Sequence, residues 1–223
     1  MDKEEVQFVY TLSSTREFIK QLIRSVRTLT NYTDPENITV FYTPPHDEEH
    51  EQVIRDLGVN LVKQENETEG FSTFWHKEQM GFGEKIKLCD VDAETVVFLD
   101  CDTLILGDIF EVIEGDFDFK GRPDVSGVHP TKWEQLFDKH EKEYMDWVPN
   151  GGFFIFKNGI HKEIREEWQN FMEEGVDYYY GGNHQEVFAL SLAVSEYDLE
   201  KMTDKEHVYE FADENVADGI VYH

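Results

Sequence analysis

Thr95-Val96-Val97-Phe98-Leu99-Asp100-Cys101-Asp102-Thr103-Leu104 is the stretch on which the fold of this chain turns. Five consecutive apolar or β-branched residues with no polar face read as a strand buried on both sides, of the kind that fills the middle of a parallel sheet. Side chains two apart on an extended chain share a face, so Asp100 and Asp102 are expected side by side at the carboxyl end of that strand, where open α/β sheets hold ligands. Two carboxylates so placed repel each other unless a cation lies between them. Hard oxygen donors at this spacing suit Mg²⁺ or Mn²⁺, and such an ion can bridge and neutralise a diphosphate. Two other readings of the same residues stay open: a pair of solvated carboxylates in an acid-rich chain, and the Asp-x-Asp-x-Thr nucleophile of aspartate phosphatases. Against the phosphatase, Thr103 directly follows the second Asp, Leu104 holds the expected threonine position, and three strands precede the motif.

Outward toward the N-terminus, residues 6–12 form a short β-branched and aromatic run. Ser14-Thr15-Arg16-Glu17 then caps a helix whose buried face is Ile19, Leu22, Ile23, Val26 and Leu29. Residues 38–42 read as a second strand, broken by Pro44-Pro45. A helix over 48–57 ends at Gly58, and a third strand covers 60–62. This βαβαβ alternation implies an α/β domain with a mostly parallel central sheet and right-handed crossovers. A further helix is expected over 84–91. Beyond the central strand the pattern is less regular: a strand over 153–156, a helix over 161–171 with Ile164, Trp168 and Phe171 on one face, and a helix over 186–194. The charged stretch 125–149, which carries Trp133 and Trp147, reads as an insertion over one end of the sheet. With no internal repeat or linker, residues 1–223 are expected to form a single domain.

The chain has 48 acidic residues against 20 Lys and Arg, a formal net charge of −28, yet 39% of it is hydrophobic and 14% aromatic. That composition builds a core, so the acid belongs to a surface rather than to a disordered tail. Such a surface repels phosphate backbones and anionic bilayers, which excludes nucleic acid and argues against membrane insertion. Excess carboxylate over a normal core is what keeps proteins hydrated in concentrated salt, and a halophilic origin is the expectation. Cys89 and Cys101 make no disulfide framework, the N-terminus is acidic where a signal peptide is basic, and no apolar run approaches a membrane span. A reducing, cytoplasmic location follows, and the sequons at Asn31, Asn37 and Asn66 are then chance matches. His46-Asp47-Glu48-Glu49-His50 matches a His-x-x-Glu-His zinc-peptidase pattern. A capped, solvated helix start is the better account of it, and no third ligand helix is evident.

Phe98-Leu99-Asp100-Cys101-Asp102-Thr103-Leu104-Ile105-Leu106 resembles the Asp-x-Asp segment of the glycogenin-type retaining glycosyltransferases, glycosyltransferase family eight, which have the GT-A fold. Other pieces resemble that family in the same order. Tyr10-Thr11-Leu12-Ser13-Ser14-Thr15-Arg16-Glu17-Phe18 resembles the strand and turn that hold the uridine, implying contacts from Leu12, Ser14, Thr15 and Phe18, although the family has Asn and Tyr at the last two positions. Gly83-Glu84-Lys85-Ile86-Lys87-Leu88 implies Lys85 as the basic residue that reaches the donor. The segment from Lys120 through Gly121, Arg122 and Pro123 implies Asp124 as a contact to the donor sugar. Pro149-Asn150-Gly151-Gly152 implies Asn150 and Gly151 near that sugar. Gly181-Gly182-Asn183-His184-Gln185-Glu186 resembles the segment beside the anomeric carbon, with His184 where the family has Asp, Gln185 facing the anomeric centre and Glu186 as the nearest carboxylate. Ile220-Val221-Tyr222-His223 resembles the late strand ending in a metal-ligand His.

The resemblance implies a GT-A-like nucleotide-diphospho-sugar transferase domain, with residues 1–102 as the nucleotide-binding half and 103–223 as the acceptor and sugar half. The implied reaction is metal-dependent transfer of a sugar, with retention, from a nucleotide diphosphate sugar (a UDP-sugar favoured) to an unknown acceptor. Asp100, Asp102 and His223 would hold Mn²⁺ or Mg²⁺, and Trp133 and Trp147 would offer aromatic faces to the acceptor. The non-enzyme alternative is a catalytically inactive domain that binds a nucleotide sugar or a divalent cation.

Overall fold

The chain is described as a computed structural model over residues 5–13, 16–64, 82–124, 130–174, 185–209 and 218–223. Its elements in chain order are β1 (Val6–Ser13), α1 (Arg16–Leu29), β2 (Ile38–Thr43), α2 (Glu48–Arg55), β3 (Asn60–Lys63), a 3₁₀ stretch (Phe82–Asp90), β4 (Thr95–Leu99), β5 (Leu104–Ile105), α3 (Phe110–Ile113), β6 (Phe119–Pro123), α4 (Pro130–Lys139), β7 (Pro149–Phe156), α5 (Ile160–Glu163), α6 (Arg165–Glu173), α7 (Gln185–Val194), β8 (Leu199–Lys201), β9 (His207–Val208) and β10 (Val221–Tyr222).

Seven strands make one sheet in the order β3-β2-β1-β4-β7-β6-β8. Among them β7 alone runs against its neighbours β4 and β6, and every other pairing is parallel. The expected α/β class with a mostly parallel sheet is therefore the observed one. β4 sits at the centre, and its five residues are all buried because both of its faces are covered. Val96 and Phe98 face a core built from the 3₁₀ stretch and α4 to α7, while Val97 and Leu99 face a core built from α1, α2 and α3. Phe98 stacks on Phe154 of β7 at 4.8 Å. Burying a side chain of that kind contributes about 1.5–3 kcal/mol, so the apolar run that marks β4 in the sequence is also what holds it.

A second, three-stranded sheet, β5-β10-β9, stands beside the carboxyl end of β4. Two expected helices take other forms. Residues 82–90 wind as 3₁₀ rather than α-helix. The helix expected over 161–171 divides into α5 and α6, but Ile164 NH still bonds to Ile160 O (3.0 Å) and Trp168 NH to Ile164 O (2.8 Å), so the two pieces form one bent rod.

Candidate metal centre

β4 ends at Leu99, and the Asp100 amide makes one more ladder bond, to Gly152 O of β7 (2.7 Å). Beyond it the chain turns. Thr103 NH and its hydroxyl both donate to Asp100 O, at 3.2 and 2.8 Å. Asp100 and Asp102 thus meet through a tight turn rather than through strand alternation, which corrects the geometry expected from the sequence. Cys101 between them is buried with the α1-side core, and its thiol donates to Thr11 O (3.4 Å).

His223 completes the group. β10 pairs antiparallel with β5, immediately after the turn, and places Tyr222 opposite Leu104. The His223 amide donates to Val208 O (3.0 Å), and its Nε2 lies 3.4 Å from Asp102 Oδ1 and 3.9 Å from Asp100 Oδ2. Ligand atoms of Asp100, Asp102 and His223 all lie within 4.8 Å of one another, the one such group of His, Cys, Asp and Glu among the described residues. Gly152 makes the room, since a Cβ there would clash with Cε1, Nδ1 and Nε2 of the His223 imidazole. Burial raises the Asp102 pKa, but the hydrogen bond and charge of His223 outweigh it and hold the carboxyl below its ordinary value. His223 answers in the opposite sense: burial disfavours its cation, yet the Asp102 hydrogen bond and the two carboxylates hold its pKa above the ordinary value.

Lys85 forms the floor on the other side of Asp100. Its side chain is only 4% exposed, and its ammonium donates to Gly151 O at 2.7 Å, 3.4 Å from Asp100 Oδ2 and 4.0 Å from Glu186 Oε1. A buried ammonium needs such anions around it, so Lys85 fixes where Asp100 and the first turn of α7 can lie. The bare backbone of Gly151 permits the approach, since a Cβ there would stand 3.0 Å from Lys85 Nζ and 3.0 Å from Val187 Cγ1. Asn150 Oδ1 accepts from Gly152 NH (2.9 Å) and pins the glycine pair in place.

Of the residues expected from the sequence, the structure therefore gathers Asp100, Asp102, His223, Lys85, Gly151 and Glu186, with Asn150 one hydrogen bond away. Leu12 buries its side chain in the α1-side core, Phe18 packs against that core, and Asp124 directly follows β6 with its amide on Val148 O (2.7 Å). Gln185 opens α7, while Ser14, Thr15 and His184 lie outside the described residues. Trp133 and Trp147 are corrections. Both are buried: Trp133 donates its indole NH to Met145 O, and Trp147 stacks on Phe119, so neither face is open to a sugar. The His-x-x-Glu-His pattern resolves as a helix start. His46 precedes the N-cap Asp47, which accepts from His50 NH (3.0 Å), so the two imidazoles do not share a helix face. Sequence reasoning did not single out Gly152, or His207 and Ser25 behind the site. The Gly-Gly doublet after Asn150, and a serine inside the apolar stripe of α1, were the available signals.

No protein-family model matches the chain, and no curated protein matches it. Solved structures do. The galactosyltransferase LgtC in complex with donor and acceptor sugar analogs aligns with 97% of this chain and 86% of its own at TM-score 0.69 and 14% identity. An active-site glutamine-to-glutamate mutant of LgtC aligns over the same shares at TM-score 0.71 and 12% identity. The glycosyltransferase GlyE of Streptococcus pneumoniae aligns with 97% of this chain at TM-score 0.63 and 14% identity, and this chain spans 54% of it. Likeness this deep at so little identity is a likeness of architecture: the chain has the GT-A fold.

Proposed function

We propose that the chain is a glycosyltransferase that moves a sugar from a nucleotide diphosphate sugar to an acceptor, with the Asp100–Asp102–His223 group as its divalent-cation site. The observation that carries this is the placement of that group, within 4.8 Å, at the carboxyl end of the central strand of a fold shared with LgtC and GlyE. Two carboxylates and one imidazole fit Mn²⁺, and the oxygen pair also fits Mg²⁺. When bound, the ion would offset the charge of the departing diphosphate. Lys85 holds Asp100 in place and adds a fixed positive charge at the floor of the site, which favours an anionic donor.

The finer reading follows the resemblance of the sequence. Residues 1–102 serve the nucleotide, with Leu12, Ser14, Thr15 and Phe18 toward a base for which uracil is favoured. Residues 103–223 serve sugar and acceptor, with Asp124, Asn150 and Gly151 on the donor sugar. Transfer retains the anomeric configuration and moves a hexose. Gln185 faces the anomeric centre, a reading supported by the active-site glutamine altered in LgtC, and with His184 at the position where the family has Asp, Glu186 is the nearest carboxylate in the sequence. The acid excess of the surface suits a halophilic cytoplasm.

The test is calorimetry of UDP and UDP-sugars with and without Mn²⁺, alongside turnover of the donor. Nucleotide and metal must tighten each other by one common factor. Asp102→Asn should abolish most of that coupling while the fold survives. Undiminished Mn²⁺-dependent nucleotide binding in Asp102→Asn would remove the site proposed here, and coupled binding without any turnover would leave a binding domain.

A further inference from the structure

Beneath the Asp100–Asp102 turn lies a chain of three buried hydroxyls. Tyr10 Oη is 2.8 Å from Ser25 Oγ, Ser25 Oγ is 2.9 Å from Thr103 Oγ1, and Thr103 Oγ1 is 2.8 Å from Asp100 O. Tyr10, Ser25 and Thr103 are each 0% exposed. The direction of the chain can be derived. A carbonyl only accepts, so Thr103 gives its one proton to Asp100 O. Thr103 can then only accept from Ser25, and Ser25 only from Tyr10, whose phenol is held protonated by burial. The relay therefore runs one way, from Tyr10 on β1 through Ser25 on α1 to the carbonyl of Asp100, with every donor used.

A parallel link lies one turn further along α1. Thr28 Oγ1 donates to Ser25 O (2.8 Å) and accepts from the NH of Ile105 (3.0 Å), the last residue of β5. α1 thus grips the turn at both of its ends, at Thr103 and at Ile105. The surroundings are otherwise apolar: Leu22, Val26 and Leu29 of α1 belong to the same buried cluster as Ile105. Three polar groups in such a place weaken packing unless fully bonded, and apolar side chains of the same size would fill the volume equally well. What hydroxyls add is a defined distance, here to the backbone atom that sets the direction of the Asp100 side chain.

We propose that Tyr10, Ser25 and Thr103 are positioning residues for the cation site, and that the relay holds the Asp100 carboxylate at the separation from Asp102 and His223 that divalent-cation binding requires. This rests on the reading of Asp100, Asp102 and His223 as a cation site, and it adds to that reading a cause on the far side of the turn. None of the three hydroxyls touches the ion or the donor. Their effect passes through the carbonyl of Asp100.

The experiment is calorimetric titration of the intact chain with Mn²⁺ alone, well below the melting temperature of each variant. Thr103→Val keeps the shape and removes the last donor, and should weaken Mn²⁺ about tenfold, at the lower end of what outer-shell partners of a metal site cost. Thr103→Ser restores the hydroxyl and should return affinity to within about twofold of the wild type. Ser25→Ala should fall between them, and Tyr10→Phe, furthest along the relay, should act least. Ile19→Val, on the buried face of α1 away from the relay, loses stability without touching the turn and should bind Mn²⁺ as the wild type does. Should Thr103→Val fail to fold, Ser25→Ala and Tyr10→Phe carry the same test. Wild-type Mn²⁺ affinity in folded Thr103→Val and Ser25→Ala, or equal weakening in Ile19→Val, would overturn the relay while Asp102→Asn still upheld the site. Failure of the wild type to bind Mn²⁺ would instead remove the site and the relay with it.

Discussion

His207 opens β9 and His223 follows β10, its neighbour in the small sheet; their ring centres are 5.7 Å apart, and the fold treats them in opposite ways. His223 faces Asp100 and Asp102, and its pKa is held up despite burial. His207 faces the edge of Phe153, finds among the described residues no hydrogen-bond partner for either ring nitrogen, and is held down to about 3 by burial, with the charges of His223 and Arg122 adding to it. Residue type is shared, and although His207 is fully buried and His223 only partly so, both rings lie largely out of water, so neither residue type nor the loss of water makes the site. The difference is position along one face of the β9–β10 ribbon: Val221 pairs with His207, so His223, two residues on, lies on the same face but further along, beside the carboxylate turn, while His207 is a neutral ring filling the core behind it.

The most direct way to break this contrast is Gly152→Ala. Its Cβ would clash with the His223 ring, to which the three atoms nearest it all belong. Mn²⁺ affinity should fall by more than about a hundredfold, beyond the cost of an outer-shell change, because a ligand itself is displaced. Calorimetry would show it, and wild-type affinity in the variant would mean that His223 does not belong to the site.

The two histidines should also tilt stability in opposite directions around pH 6.5. His207 has a folded pKa of about 3 against an ordinary 6.5, so below pH 6.5 the unfolded chain binds a proton that the fold refuses, and stability is lost as the pH falls toward 3. His223 is raised, so its contribution is complete below 6.5 and is lost as the pH rises through its higher folded value. Replacing His207 with Phe or Leu should flatten the acid limb and leave the alkaline limb alone. Near pH 5 the variant should gain about 1–3 kcal/mol over the wild type, the cost of a buried polar group left unbonded. Urea unfolding across pH 4–8 measures both limbs, and parallel profiles for wild type and variant would mean that His207 is not buried as a neutral ring.

The same contrast marks what was legible in the sequence. Residues 38–42 and 95–99 announced β2 and β4 because parallel strands covered on both faces are continuous apolar runs, a local signal. β9 and β10, which carry the two histidines, are two residues each and exist only through pairing with partners far along the chain, so no periodicity betrays them. Asp100 and Asp102 could be read from acids closing a buried strand, whereas Lys85 and His223 came only through the family resemblance. Gly152, Ser25 and His207 were missed because their roles are set by what lies across from them in space. Trp133 was misread although its own helix carried the answer: Trp133, Leu136 and Phe137 at spacings of three and four are a buried stripe, and all three lie in the core.

The smallest expected effect tests how far the two histidine positions are coupled through the ribbon. Arg122 of β6 is 5% exposed and donates one guanidinium nitrogen to His207 O and another to Asp204 (2.9 Å). It therefore anchors β9 from behind, and β9 supports β10 through the Val221–His207 register and the bond from His223 NH to Val208 O. Arg122→Lys keeps the charge but has a single point donor in place of the fork, so one of the two acceptors loses its bond. Stability should drop by about 1 kcal/mol, the usual net value of such a bond. Mn²⁺ affinity should change by less than about threefold, because β5 still holds β10 from the other edge, and two supports share the strain where an outer-shell partner acting alone would cost tenfold or more. A loss as large as that of Gly152→Ala would show that His223 is placed through β9, and that the ribbon acts as one unit rather than as a site in front of a scaffold.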